Sequence, residues 1–277
     1  MNVVYDERYY KNYDIGLDKP VDYQNCTLLI DFFKGVAARI VDTYNPKTLL
    51  DTGCAFGILV RELRLLGVEA YGVDISDYAV DNADPYVKPY LTVCSLAELS
   101  LPKSFPQKFD IVTNIEVMEH IDSKDAPNSI KNICELTERV LFSSTSTDFE
   151  DPTHINVNQV DVWASLFAEN GFYNRVDKYP DYISPDAYCF EYCGDAVTAV
   201  KRYERYICEA KRIAEEKSRK EQEFQNAYSA LAERFNSLAR EYDKVRSDYA
   251  EILNSQYWRM TGPMRKITHK IKTGFKK

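Results

Sequence analysis

Two sets of residues in this chain have the types and spacing to do chemistry. The first lies in Leu-Leu-Asp51-Thr-Gly53-Cys54-Ala-Phe-Gly57, followed by Asp74 in Tyr-Gly-Val-Asp-Ile75-Ser. Glycines in a turn after an apolar strand let a ligand approach the backbone, and an acid closing the next strand accepts from the paired hydroxyls of a ribose. A dinucleotide site needs a middle glycine for its pyrophosphate, but position 55 is Ala, and Asp51 would repel that anion. A ligand bearing an ammonium or sulfonium suits the carboxylate better. The second set is Glu116, Glu119 and His120 in Ile-Glu-Val-Met-Glu-His-Ile, with His154 in Asp-Pro-Thr-His-Ile-Asn. Two of the chain's 3 histidines fall here. Two carboxylates and two imidazoles suit a divalent ion such as Mg, Mn, Fe or Zn. Without an ion, Glu119, His120 and His154 remain candidates for taking a proton from an acceptor.

Positioning these residues requires alternating strands and helices. Thr48–Asp51, Ala70–Asp74, Pro89–Cys94, Phe109–Asn114, Arg139–Ser144, Tyr173–Tyr179 and Ala187–Cys193 read as seven strands. Helical spacing of apolar residues predicts helices over 26–44, over Ile58–Leu66 closed by Gly67, and over Val162–Gly171. The fold expected is α/β, a doubly wound and mostly parallel seven-stranded sheet, with ligands outside the carboxyl ends of the strands. The first 25 residues are rich in tyrosine (Tyr5, Tyr9, Tyr10, Tyr13, Tyr23) and read as loop around Gly16 and Pro20.

After Gly194 the texture changes. Apolar residues recur in steps of three and four from Val200 to Ile252, with Lys217 and Glu221 holding the register through a polar gap. No Pro or Gly interrupts them, so a long C-terminal coiled-coil helix and a homo-oligomer are expected. The last segment carries seven Lys and Arg from Arg259 on and no acid, with Met264, Ile267, Ile271 and Phe275 at helical spacing. A cationic amphipathic tail of this kind can lie on an anionic membrane. The domains expected are 1–195, 196–256 and 257–277.

Charge separates these parts. Residues 1–195 carry 16 Lys and Arg against 32 Asp and Glu, whereas residues 196–277 carry 19 against 11. So acidic a globular half is a poor nucleic-acid platform. The 7 scattered cysteines fit reduced thiols rather than a disulfide framework, and no leader or membrane-spanning run is apparent. A cytoplasmic protein, peripheral on the inner membrane face through its tail, is the expectation.

The glycine turn with Asp74 resembles the first motifs of class I S-adenosylmethionine-dependent methyltransferases. That resemblance implies a Rossmann-like methyltransferase fold. It places the methionine part of S-adenosylmethionine against Asp51, Gly53, Cys54 and Gly57, the ribose on Asp74 and the adenine beside Ile75. It further implies Ser95 and Leu96 at the adenine edge and Asn114 near the donor's amino group. The Glu116/Glu119/His120/His154 set resembles the metal site of Hen1-type RNA 2′-O-methyltransferases, in which a metal grips a vicinal diol. Many metal-free relatives share Glu-Val-x-Glu-His, so both readings stay open. The segment from Trp258 to Arg265 is similar to a Trp-Arg-x-Thr-x-Pro-x-Arg element of bacterial surface-polysaccharide enzymes, which implies association of the tail with a glycosyltransferase complex. The order methyltransferase, coiled coil, tail resembles O-antigen chain-terminating enzymes, without their kinase domain. The expected activity is therefore O-methylation of a sugar hydroxyl on a cell-surface glycan or its precursor. The alternatives are a small-molecule or quinol O-methyltransferase, an RNA 2′-O-methyltransferase, or a non-catalytic scaffold of a polysaccharide synthase.

Overall fold

A computed structural model describes residues 5–14 and 19–261. The chain divides into two compact units, one ending at Tyr206 and the other beginning at Ile207.

The first unit is built on seven strands: β1 (Thr48–Thr52), β2 (Glu69–Asp74), β3 (Leu91–Val93), β4 (Ile111–Ile115), β5 (Arg139–Ser143), β6 (Phe172–Asn174) and β7 (Ala187–Tyr192). Their order across the sheet is β3-β2-β1-β4-β5-β7-β6. β3, β2, β1, β4 and β5 are mutually parallel. β7 runs antiparallel to both β5 and β6, so the sheet is mixed rather than wholly parallel. The reason is local. No helix lies between β6 and β7, and without a crossover the returning strand must reverse direction.

Helices cover both faces. On one side α2 (Thr27–Tyr44), α3 (Ile58–Leu65) and the short α4 (Asp77–Asp81) bury Val36, Ile40, Leu59, Leu63 and Val80 with Leu49 and Ile111. On the other, α5 (Ala126–Cys134) and α6 (Val160–Glu169) bury Ile130, Ile133, Trp163 and Phe167 with Leu50, Val112 and Phe142. Consecutive residues of a strand thus enter opposite cores, as the pleat dictates, and continuous apolar runs become central strands.

Several elements depart from the sequence reading. β3 starts after Pro89, because residues 88–90 form a 3₁₀ turn in which the proline has no N–H for a ladder. β4 sits one or two residues later than expected, and β6 stops at Asn174, after which Arg175 turns to pair with Asp177. The tyrosine-rich start is not simply loop. It holds α1 (Glu7–Lys11), capped by Asp6, whose carboxylate accepts from the Tyr9 N–H at 3.1 Å. Gly16 and the segment from Gly262 to Lys277, including Met264, Ile267, Ile271 and Phe275, lie outside the described residues.

The last helices are α7 (Ala196–Asn254), of 59 residues, and α8 (Gln256–Met260). The first unit extends past the expected boundary at 195, because the opening turns of α7 belong to it. Ala199 is buried, and the Arg202 guanidinium donates to Cys193 Sγ at 2.9 Å. From Ile207 on, all residues of α7 but Glu216 and Leu253 are exposed. No helix among the described residues is long and apolar enough to cross a membrane.

Candidate active site

The carboxyl ends of β2, β1, β4 and β5 stand side by side, and each feeds a loop carrying a residue singled out above. The glycine turn follows β1. Gly53 and Cys54 donate from their backbone nitrogens to the Val73 carbonyl at 2.8 and 3.0 Å, which ties the turn to β2. Gly53 (φ +77°), Ala55 (φ +47°) and Gly57 (φ +69°) all adopt left-handed backbone. A side chain at Gly53 would have its Cβ 2.3 Å from Val117 Cγ2. Position 53 therefore needs glycine for both conformation and space. Gly53→Ala is expected to lower stability by about 2–4 kcal/mol, with a melting-temperature drop of several degrees. Adding Val117→Ala should recover the steric part of that loss, which differential scanning calorimetry would resolve.

Asp74 organises the turn. Its two carboxylate oxygens accept from the Ala55 N–H at 2.7 Å and the Ser76 N–H at 2.8 Å. Burial raises its pKa, and those backbone bonds partly offset the effect. Asp51 is 5% exposed and accepts from Thr113 Oγ1 at 2.7 Å. Burial, reinforced by the charge of Asp74, pushes its carboxyl up to about 7. Asn114 is buried, donates to Thr52 Oγ1 at 2.9 Å, and leaves its Oδ1 without a partner. Asp51, Gly53 and Cys54 line a cavity of ≈ 20 Å³ with Tyr23, Phe33 and Ile115. Ile75 is exposed beside Asp74, whereas Leu96 turns into the core and only its carbonyl is engaged, by Asn132 Nδ2. Ser95 follows β3 at the same edge of the sheet and is half-buried.

The second set assembles in part. Glu119, His120 and His154 bring ligand atoms within 4.8 Å of one another. Glu116 stands outside that group, its backbone strained at φ +52° and held by the Ser143 carbonyl. Its charge still acts on Glu119, which is fully buried with neither carboxylate oxygen hydrogen-bonded. Burial foremost, then Glu116, raises the Glu119 carboxyl well above the usual carboxylate range. The imidazoles are oriented by carbonyls: His120 Nδ1 lies 3.2 Å from Thr153 O, and His154 Nδ1 lies 3.0 Å from Asp148 O. Donation from both Nδ1 atoms leaves each Nε2 as the basic nitrogen. Burial, with His154 alongside, lowers the His120 pKa to about 4, so this imidazole is neutral at physiological pH. The ring centroids of the two histidines are 4.7 Å apart. A buried carboxyl with neither oxygen in a well-formed hydrogen bond, beside two imidazoles whose Nδ1 atoms are turned to carbonyls, fits a divalent cation, and His154 Nε2 lies 3.9 Å from Asp151 Oδ2.

The tyrosine layer was missed as part of the site, although its density was visible in the sequence. Ser76 Oγ donates to the Tyr5 carbonyl at 2.5 Å, and the Tyr5 ring meets His120 edge-on at 5.9 Å. One residue thus touches both sets. Tyr10, Phe56, Tyr23 and Tyr78 pack over the glycine turn. Burial foremost raises the Tyr5 phenol, followed by the charges of Asp74, Asp151 and Glu119. Nothing in the sequence brings a segment so far upstream to these strand ends; only tertiary structure does.

A methyltransferase-domain family profile matches residues 27–178, more than half of the chain. The chain belongs to this methyltransferase family. Among curated proteins it is similar to the ubiquinone biosynthesis O-methyltransferase of Paraburkholderia phytofirmans, 35% identical over 92 residues, covering 32% of this chain and 38% of that protein. The Coxiella burnetii protein of the same name is 28% identical over 113 residues, covering 39% of this chain and 47% of its own. The matches thus span less than half the length of these relatives. Among solved structures, magnesium protoporphyrin IX methyltransferase from Synechocystis with bound S-adenosylhomocysteine matches with a TM-score of 0.45 at 20% identity, covering 58% of this chain and 81% of that one.

Proposed function

We propose that this methyltransferase uses S-adenosylmethionine to methylate the hydroxyl oxygen of a small-molecule or quinol acceptor. The observation that carries the reading is the placement of the Glu119/His120/His154 cluster, with Glu119 buried and the two imidazoles half-buried, at strand ends adjoining the glycine turn. Val117 spans the two: it packs on Gly53 and lies two residues before Glu119. Turn, buried Asp51 and ribose-suited Asp74 supply a donor site, and the cluster supplies a place to handle the proton. The names of the curated relatives favour a small acceptor over the glycan hydroxyl expected from the coiled coil and tail, and the polysaccharide reading has no support among them.

Asp51 meets the donor's ammonium in a water-poor pocket, and Asp74 accepts from the ribose hydroxyls. The acceptor oxygen attacks the methyl carbon in line. The C–O bond forms as the C–S bond breaks, and S-adenosylhomocysteine leaves as a neutral thioether. His120 Nε2, with its tautomer set by Thr153 O, receives the hydroxyl proton. Were a divalent ion held by Glu119, His120 and His154 instead, His120 would serve as its ligand rather than as the base, and the ion would lower the pKa of that hydroxyl.

Titration calorimetry with S-adenosylmethionine tests the donor half. A binding isotherm is expected for the parent, and Asp74→Ala should weaken it at least about tenfold, the loss of a charged hydrogen bond. No binding by the parent would remove the proposal. Transfer of a labelled methyl group to dihydroxyphenols, but not to nucleotide sugars, would support the small-molecule acceptor. The opposite preference would restore the glycan.

A further inference from the structure

In the second unit, nine apolar side chains from Phe224 to Ile252 recur at alternating steps of four and three. All nine are exposed, between 52% and 71%. Phe235, Leu238, Tyr242 and Val245 line a groove along this face. An apolar patch of this extent marks an interaction surface, and strict three-four spacing is the signature of a seam between helices.

We infer that the 224–252 face of α7 is a self-association seam, and that its occupant is a second copy of this chain. Two observations choose that occupant. The first is area. Burying these side chains removes roughly 1,000 Å² from water per copy, above the about 800 Å² per partner of a standard stable interface. The second is charge. The positions flanking the seam complement themselves. In a parallel, in-register pair Glu241 of one copy lies opposite Arg246 of the other, and the remaining flanking positions oppose no like charges. In an antiparallel pair stacked about the middle of the stripe, Glu241 meets Arg234 twice. Either way the face recognises its own copy.

The inference is independent of donor and acceptor. Sedimentation equilibrium of the full chain across micromolar concentrations is expected to give an integral multiple of the monomer mass. Leu231→Asp combined with Leu238→Asp should weaken association at least about 100-fold, since each burial of a charge in a seam is costly. Arg240→Asp, on the opposite side of the helix, should leave the mass unchanged. Unaltered affinity for S-adenosylmethionine would show that the first unit still folds in each variant, and the milder Leu238→Ala should give an intermediate mass average. A monomeric parent, or a double-Asp variant that associates like the parent, overturns the inference.

Discussion

Asp51→Asn should stabilise the donor-free protein while removing most of its affinity for S-adenosylmethionine. Asp51 ionises near neutrality only at the cost of a buried charge, because its surroundings hold it at about 7 against an ordinary value near 3.8. A carboxyl raised in the folded state contributes its stability below pH about 4 and loses it as pH rises through 7. Above pH 7 the folded domain carries an uncompensated buried carboxylate. Asparagine keeps an oxygen to accept from Thr113 Oγ1 but carries no charge. At pH 8 the variant should therefore be more stable by on the order of 3 kcal/mol, a melting-temperature rise of about 5–10 °C. At pH 4 the difference should vanish.

The same group makes donor affinity depend on pH. If Asp51 must be ionised to meet the ammonium, the dissociation constant for S-adenosylmethionine should rise as pH falls below about 7, approaching tenfold per unit. The Asn variant should bind at least about 100-fold more weakly and lose that slope. Calorimetry from pH 5.5 to 7.5 separates the two groups. A slope that survives in Asp51→Asn belongs to Asp74, and a stabilised variant that binds normally would show that Asp51 is a relic of packing.

Much of the donor side was legible because it is local. β1, the glycine turn, α3 and β2 follow one another within 27 residues, and their spacing alone brings Asp51, Gly53 and Asp74 together. Heptad spacing likewise announced α7. What the sequence concealed depends on distant contacts. β7 reverses because of a missing crossover, which no hydrophobic period encodes. Glu116 lies outside the three-residue cluster, on a left-handed backbone bonded to Ser143 directly after β4, a conformation no sequence spacing announces. Position in the chain puts Leu96 at the adenine edge, whereas its side chain turns inward to the core that α5 covers. Tyr5 and the tyrosines of α1 meet the site through Ser76, Phe56 and His120, more than forty residues away in sequence.

His120→Ala should leave donor binding within about twofold of the parent and reduce turnover by about 10²–10⁴, the usual range for a positioned base. The contrast follows from geometry. His120 bonds the Thr153 carbonyl and touches His154 and Tyr5, and none of its hydrogen bonds reaches Asp51 or Asp74. A residue with only a structural role would instead lower the melting temperature and the donor affinity together. Glu119→Gln divides the two mechanisms that the cluster permits. Glu119 has no hydrogen-bond partner, so as a bystander it should tolerate an uncharged isostere, and turnover should fall less than about tenfold. As a ligand to a divalent ion, its loss should cost metal affinity about 10–100-fold or more, and turnover should recover only at raised metal concentration. Chelation of the parent then gives the independent reading. Activity abolished by chelator and restored by one of Mg, Mn, Fe or Zn assigns Glu119, His120 and His154 to the ion. Activity indifferent to chelator, together with a dead His120→Ala, assigns His120 Nε2 as the base acting alone.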